Sequence, residues 1–436
     1  MERNQNVSKF KSHSNAAEGG DAGRSAAADM LNESLNRMAS VGIEQARQNI
    51  ARSFYNDKNK TDLILDKDLR PKIAKALRSG RYRCIMPMYR DMAAAHTTQY
   101  MIKVLGDPKN VTIVNGGSPD DEVAKAVGEM GAEVLQVADL RAMIPTEKFY
   151  DLLNWNEKDK EGKVKIPVGK GMSIFWLHLF DEVVREKLPE ETVTLQIDSD
   201  ITNIGAATGQ YNPLYYLALP LVMDPDKKYV HIKTASPGRN NEPMMPPRNA
   251  LHALQDAGLP LAGLYARFTQ RLKWMLTGEF AFCNRRSIRN MPHSSGYGAE
   301  TILAMYLALL NDKGLGDTAQ VAIRIPRLDA ANTYEKEYVM YDQLSYLLFA
   351  LVVRSGGGDG RLRAAPGVDE LTVADVKEMN ARMAQREYYT VLGESQGPCQ
   401  VIATVNDRII PSIAELDKNG YVDQNVVANL KEKYRK

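Results

Sequence analysis

Cysteine is scarce in this chain of 436 residues: Cys84, Cys283 and Cys399 lie far apart, with no Cys-x-x-C spacing. That excludes a disulfide framework and a thiolate zinc site, and it fits a reducing compartment. Long apolar runs are missing too. The longest, residues 347–353, falls far short of the roughly 20 residues that cross a bilayer, and the opening stretch MERNQNVSKFKSHSNAAEGG has no signal-peptide segment. There is no excess of one charge: 56 Lys and Arg face 54 Asp and Glu, for a formal net charge of +2. A globally basic nucleic-acid coat is thereby excluded, while a local basic groove stays open. The expectation is a soluble, cytoplasmic protein with no membrane partner.

What is present is ordinary globular composition, 44% apolar and 25% charged. At about 150 residues per domain, the length allows two or three domains, or one large domain with appended segments. No internal repeat is visible. Residues 1–28 are rich in Ser, Asn, Gly and Ala, a composition expected to stay a disordered tail. Residues 29–60 carry Met30, Leu31, Leu35, Met38, Ile43 and Ile50 at roughly helical spacing. From Tyr82 onward, apolar strand-like runs (84–86, 111–114, 134–137 and 193–197) alternate with helical patterns at 93–104 and 172–188. This is the signature of βαβ units, and it predicts an α/β fold, Rossmann-like with a mainly parallel sheet, over residues 61–354. The charged stretch 156–165 reads as a surface loop. The Gly-rich run 355–360 reads as a linker to an accessory, mostly helical segment, residues 355–436, with a helical pattern at 373–388.

Two carboxylates, Asp198 and Asp200, end a hydrophobic strand in the sequence Ile197-Asp198-Ser199-Asp200. Ligands of open α/β sheets bind beyond the carboxyl ends of the strands, and strand alternation turns both side chains the same way. Paired oxygens there suit a hard divalent cation that also binds phosphates. Solvated aspartates at a loop start are the plain alternative. Two further strand ends carry Pro87, Tyr89 and Asp91, and Gly116 with Ser118. Their glycine permits close backbone approach, and their polar groups can bond ribose or base. Lys170, between Gly169 and Gly171 at a helix start, can present positive charge to a phosphate, although the P-loop spacing is absent.

In this order the elements resemble the nucleotide-sugar half of a GT-A type glycosyltransferase. The stretch Leu276-Thr277-Gly278-Glu279, followed by Gly296-Tyr297-Gly298-Ala299-Glu300, narrows this to a resemblance with glucosyl-3-phosphoglycerate synthases and related mannosyl-transferring enzymes, from about Arg83 to Arg354. The resemblance implies a retaining transferase that moves a hexosyl group from a UDP- or GDP-hexose to a small anionic acceptor, assisted by Mg²⁺ or Mn²⁺. It implies that Pro87, Tyr89, Asp91, Gly116 and Ser118 border the nucleoside and that Lys170 lies near the diphosphate or sugar. It further implies that Asp200 binds the metal, with Asp198 beside it facing sugar or ribose. Tyr297 and Glu300 would contact the transferred hexose, and Leu276 to Glu279 would line the reacting face. Where the family supplies a histidine ligand, residues 324–333 have none. Asp329 or Asn332 could substitute an oxygen, and His293 is a weaker candidate. Arg248, Arg267 and Arg271 are the nearest cationic candidates for an acceptor carboxylate or phosphate.

Other readings compete. A sugar-1-phosphate nucleotidyltransferase shares the nucleotide half, but Met86-Pro87-Met88-Tyr89 stands where its Gly-rich loop belongs. An inactive sugar-nucleotide-binding module would explain the absent histidine. A glycosyltransferase acting on a hydroxymethylated base in viral DNA would use the basic tracts 267–273 and 285–289. A homodimer is left open.

Overall fold

The computed structural model describes residues 67–434 apart from 90–92, 119–120, 157, 159–160, 165–168, 186–187, 206–209, 236–259, 272–277, 324, 326, 329–346, 348–349, 352, 356–361, 365–366 and 385–406. The expected tail and helical segment before residue 61, and with them Asp91, Arg248, Leu276, Asp329 and Asn332, lie outside the described residues.

The chain enters through helix α1 (Leu69–Leu77) and strand β1 (Tyr82–Met88), followed by α2 (Ala93–Leu105), β2 (Val111–Asn115), α3 (Glu122–Glu129) and β3 (Glu133–Gln136). Helices α4 (Thr146–Leu153) and α5 (Lys170–Val183) lead to β4 (Val193–Gln196), α6 (Pro213–Met223) and β5 (Tyr229–Ala235). Then come α7 (Pro260–Arg271), β6 (Phe280–Phe282), β7 (His293–Ser294), α8 (Ala299–Asp312) and β8 (Asp317–Ala322). The described chain closes with the hairpin β9 (Val353–Ser355) and β10 (Leu362–Ala364), then α9 (Val373–Ala384), β11 (Ile409–Ile410) and α10 (Gln424–Lys433).

Seven strands form one sheet in the order β3-β2-β1-β4-β6-β5-β8, and only β6 runs antiparallel to its neighbours. The expected parallel βαβ half is therefore present. The order reverses beside β1, which pairs with β2 on one side and β4 on the other. Such a switch point opens a crevice at the carboxyl ends of the strands, because the flanking connections leave in opposite directions. All five residues of β2 and all four of β4 are buried, as expected of strands covered on both faces. Helix α5 is buried along most of its length, with Phe175, Trp176, Leu177 and Phe180 among the least exposed residues, so it forms one layer under the sheet.

The C-terminal segment is not an appendage. Strand β11 pairs with β7, and Ile409, Ile410, Leu416, Val427 and Leu430 share one apolar cluster with Leu135, Phe149, Trp176 and Leu303. The expected boundary at residue 354 falls inside β9. Asn380 Nδ2 on α9 donates to the carbonyls of Leu152 and Ile409 and its Oδ1 accepts from the Ile409 amide, tying α4, α9 and β11 together.

Candidate active site

The carboxyl edge of the sheet gathers the candidates. Tyr89 follows β1 with its side chain out in solvent, 63% exposed, and Gly116 follows β2 with its amide donating to the Met88 carbonyl at 2.9 Å. Asn115 organises that turn: its Nδ2 donates to the Ser118 carbonyl and its Oδ1 accepts from the Gly117 amide. Tyr89 and Gly116 are neighbours, since a Cβ placed on Gly116 would lie 3.5 Å from the Tyr89 ring. Pro87 sits one residue before the end of β1. An exposed aromatic ring beside a glycine turn is a platform on which a nucleobase can stack.

Asp198 and Asp200 follow β4. Residue 279 leads into antiparallel β6, whose Phe280 pairs with Gln196, so Glu279 arrives at the same edge from the opposite chain direction. Residue 327 follows β8, which runs parallel to β5 and so ends at that edge as well. Lys170 opens α5, and Glu300 lies in the first turn of α8. Six charged side chains thus converge from five elements.

Their pairing is specific. Lys170 Nζ lies 2.7 Å from Asp198 Oδ1 and 3.1 Å from Glu300 Oε1, bridging the two. The Arg327 guanidinium spans three carboxylates: Asp198 Oδ2 at 3.0 Å, Asp200 Oδ1 at 2.8 Å, and Glu279 Oε1. Glu279 is fully buried; its second oxygen accepts from the Tyr211 hydroxyl at 3.2 Å and the Thr234 hydroxyl at 3.4 Å. Glu300 differs. Its Oε2 is buried and, among the described residues, has no hydrogen-bond partner. A buried carboxylate oxygen left unsatisfied is costly, so it marks a place for a ligand donor. Tyr297 stands in the same cluster: burial pushes its phenol above the usual value, with Lys170 opposing and Asp198, Asp200 and Glu300 adding to the rise. It remains a neutral hydroxyl at neutral pH.

Backbone packing explains two of the glycines. A Cβ on Gly171 would collide with the carbonyl oxygens of Ser294 and Gly296, and one on Gly278 would strike the Asp198 carboxylate. Only glycine lets α5 and the 278 turn approach this closely.

The loop carrying Tyr297 is held from an unexpected quarter. Asp407, fully buried, accepts from the Ser294 hydroxyl at 2.5 Å, the Gly296 amide at 2.8 Å and the Gly298 amide at 2.7 Å. Burial pushes its carboxyl up, against those hydrogen bonds. Asp407 and Arg327 are the residues that sequence reasoning missed. Arg327 lies in the histidine-free 324–333 stretch, and nothing local distinguishes it from a surface arginine.

Two of the weaker candidates lie away from the carboxylates. His293 is buried in β7 with its Nε2 3.0 Å from His178 Nδ1 and its ring against Phe175, so it belongs to the core and not to the carboxylates. Burial holds it well below the usual histidine value, with His178 adding to the drop. Arg285, in the basic tract considered for DNA phosphates, is instead buried: its Nε pairs with Glu182 at 3.0 Å and its guanidinium donates to the Leu188 and Asp181 carbonyls. Arg267 and Arg271 fall on α7.

The donor set can be tested against a divalent cation. Asp198 and Asp200 already converge on one cationic group, and the four carboxylates exceed Lys170 and Arg327 by a formal charge of −2. Among the described residues no group of three His, Cys, Asp or Glu could hold a metal by itself. A pair of strand-end carboxylates is a donor set that fits Mg²⁺ or Mn²⁺ bound by one or two carboxylates and completed by substrate phosphates.

The molecule is an α/β protein with a strand-end site rich in carboxylates. No family model and no curated protein matches the chain. Among solved structures it is similar to glucosyl-3-phosphoglycerate synthase from Mycobacterium tuberculosis, in complex with Mn²⁺, UDP and glucosyl-3-phosphoglycerate, at 17% identity and TM-score 0.44, covering 67% of this chain and 90% of that one. The same synthase with Mg²⁺ and UDP matches at 16% identity and TM-score 0.43, over 67% and 90%. Its complex with Mn²⁺, UDP-glucose and glycerol 3-phosphate matches at 17% and 0.42, over 67% and 90%. No helix among the described residues is long and apolar enough to cross a membrane.

Proposed function

We propose that the protein is a nucleotide-sugar-dependent glycosyltransferase that moves a hexosyl group from a UDP- or GDP-hexose to a small anionic acceptor, with retention. The observation that carries this is the Lys170 bridge between Asp198 and Glu300, which leaves Glu300 Oε2 buried and, among the described residues, without a partner. In this reading the base stacks near Tyr89 and Gly116, and the sugar hydroxyls donate to Glu300 beside Tyr297. Asp200 and Asp198 would hold a divalent cation, which neutralises charge on the departing diphosphate. Lys170 supplies a fixed positive charge where that negative charge develops.

Glu279 bears on the route. A double displacement needs a carboxylate free to attack the anomeric carbon, whereas Glu279 is fully buried and engaged by Arg327, Tyr211 and Thr234. That supports same-face attack, with the leaving diphosphate helping to remove the acceptor proton.

The test is binding. Glu300→Ala should weaken UDP-glucose or GDP-mannose, whichever the wild type turns over, by about tenfold or more, while free UDP or GDP binds nearly as before. Equal loss for sugar nucleotide and free nucleotide would place Glu300 with the nucleotide instead. The acceptor is read separately, by labelled-sugar transfer to 3-phosphoglycerate and to hydroxymethylated DNA. Transfer to the DNA alone, falling steeply with salt, would replace the small acceptor by a polymer.

A further inference from the structure

Arg327 stands where the proposed metal site needs free oxygens. Its side chain is fully buried, and its two terminal nitrogens reach Asp198 at 3.0 Å and Asp200 at 2.8 Å, the two carboxylates assigned to the cation. A divalent cation and a guanidinium repel each other and compete for the same lone pairs, so one Asp200 oxygen cannot serve both at full strength.

The geometry also says what moves. The backbone next to Arg327 is anchored: the Leu328 amide donates to Asn203 Oδ1 at 3.0 Å, and the Leu328 carbonyl accepts from the Thr202 amide at 2.8 Å and the Thr202 hydroxyl at 3.0 Å. These bonds tie it to the loop that carries Asp198 and Asp200. Displacement therefore falls on the side chain, which has a second seat. Glu279, buried and held by Tyr211 and Thr234, pairs with Nη1 and needs a cation wherever Nη2 points.

We propose that Arg327 is a resident counter-cation that competes with the divalent metal for Asp200, yielding Nη2 when metal and diphosphate arrive together while Nη1 stays on Glu279. This rests on the metal-assisted reading above and deepens it. Without nucleotide, Arg327 satisfies the carboxylates and metal binds weakly. With nucleotide, phosphate oxygens complete the metal's shell and offer the released guanidinium a new partner. Metal loading is thereby coupled to donor loading.

The experiment is a Mn²⁺ titration of the full chain by electron paramagnetic resonance, without nucleotide and then with UDP, and with no turnover in either arm. Arg327→Gln should bind Mn²⁺ about tenfold or more tightly than wild type, the scale of losing one charge-assisted competitor. UDP should tighten Mn²⁺ strongly in the wild type and much less in the variant. Should Arg327→Gln fail to fold because Glu279 is left uncompensated, the Glu279→Gln/Arg327→Gln double variant is compared with Glu279→Gln. In the wild type itself, Mg²⁺ added in the presence of UDP should shift one arginine Nε–Hε resonance, assigned by its loss in Arg327→Lys. Unchanged or weaker Mn²⁺ binding in a folded variant, or no arginine resonance that responds to Mg²⁺ with UDP present, overturns the proposal. Because the Mn²⁺-only arm uses no donor, that outcome is separate from a failure of sugar transfer.

Discussion

At the scale of single residues, the site is a charge arrangement in which each cation has more than one partner. Lys170 is half-way between roles: 23% of its side chain is exposed, yet it bridges Asp198 and Glu300. If it serves the developing diphosphate charge, Lys170→Ala should lower kcat by about 100-fold, the scale of losing one fixed stabilising group. Steady-state kinetics with the donor decide this. A variant with normal kcat and only a raised KM would make Lys170 a general binding residue. Arg327 could not be singled out from its neighbours in sequence, because what sets it apart is burial among three carboxylates brought from the end of β4 and the 278 turn.

At the scale of elements, the loop before α8 is the part most dependent on distant chain. Its residues 294–298 hang on Asp407, 113 to 109 positions away, through two backbone amides and the serine hydroxyls. Asp407→Asn keeps one acceptor oxygen but turns a donor toward Gly296 or Gly298. The loop should then lose its grip on Tyr297 and Glu300. The expected outcome is a KM for the sugar nucleotide raised by about tenfold with kcat reduced less, while the fold persists with a lowered melting temperature. A purely structural role would lower the melting temperature alone and leave KM of the remaining folded enzyme unchanged. The alternating strands and helices were legible from their apolar periodicity, and β1 to β4 fall where that pattern put them. The pairing of β11 with β7 was not, since two residues on each side carry no periodic signal.

For the whole molecule, the core decides two outcomes. Truncation after residue 354 should yield aggregated or unfolded protein and not a working donor-binding domain. It strips Ile409, Ile410, Leu416, Val427 and Leu430 from the cluster that contains Trp176 and Leu303. Soluble yield and far-UV circular dichroism check this; a cooperative melt from the truncated chain would show the segment to be dispensable. Stability should also fall in acid. Burial lowers His178 to about 3 from an ordinary 6.5 and holds His231 and His293 well below theirs. The folded state keeps these rings neutral while the unfolded chain protonates them. Their contribution is therefore intact above about pH 6.5 and is lost as pH falls from there toward 3, by up to about 1.4 kcal/mol per pH unit for each ring. Asp181, Glu182 and Asp407, raised by burial, act in the opposite sense. His231→Leu, at a site where neither ring nitrogen has a described partner, should flatten the change in urea midpoint between pH 7 and pH 5. An unaltered slope would remove His231 from the account.

The amino-acid sequence by itself determined what depends on neighbouring residues. Apolar alternation set the parallel half of the sheet, the Asp198 and Asp200 pair followed from a strand's end, and Lys170 from a helix start between glycines. These are local patterns, and local backbone geometry carries them into the structure. Only the tertiary structure decided which charge answers which: that Arg327 occupies the carboxylates, that Glu279 is held inside, that Glu300 Oε2 has no partner among the described residues, and that the last segment completes the core. Those facts come from segments 45 or more positions apart meeting at one sheet edge, as Glu279 meets Thr234 across 45 positions and Lys170 meets Glu300 across 130. Burial and ion pairing are properties of that meeting, and no stretch of chain contains them.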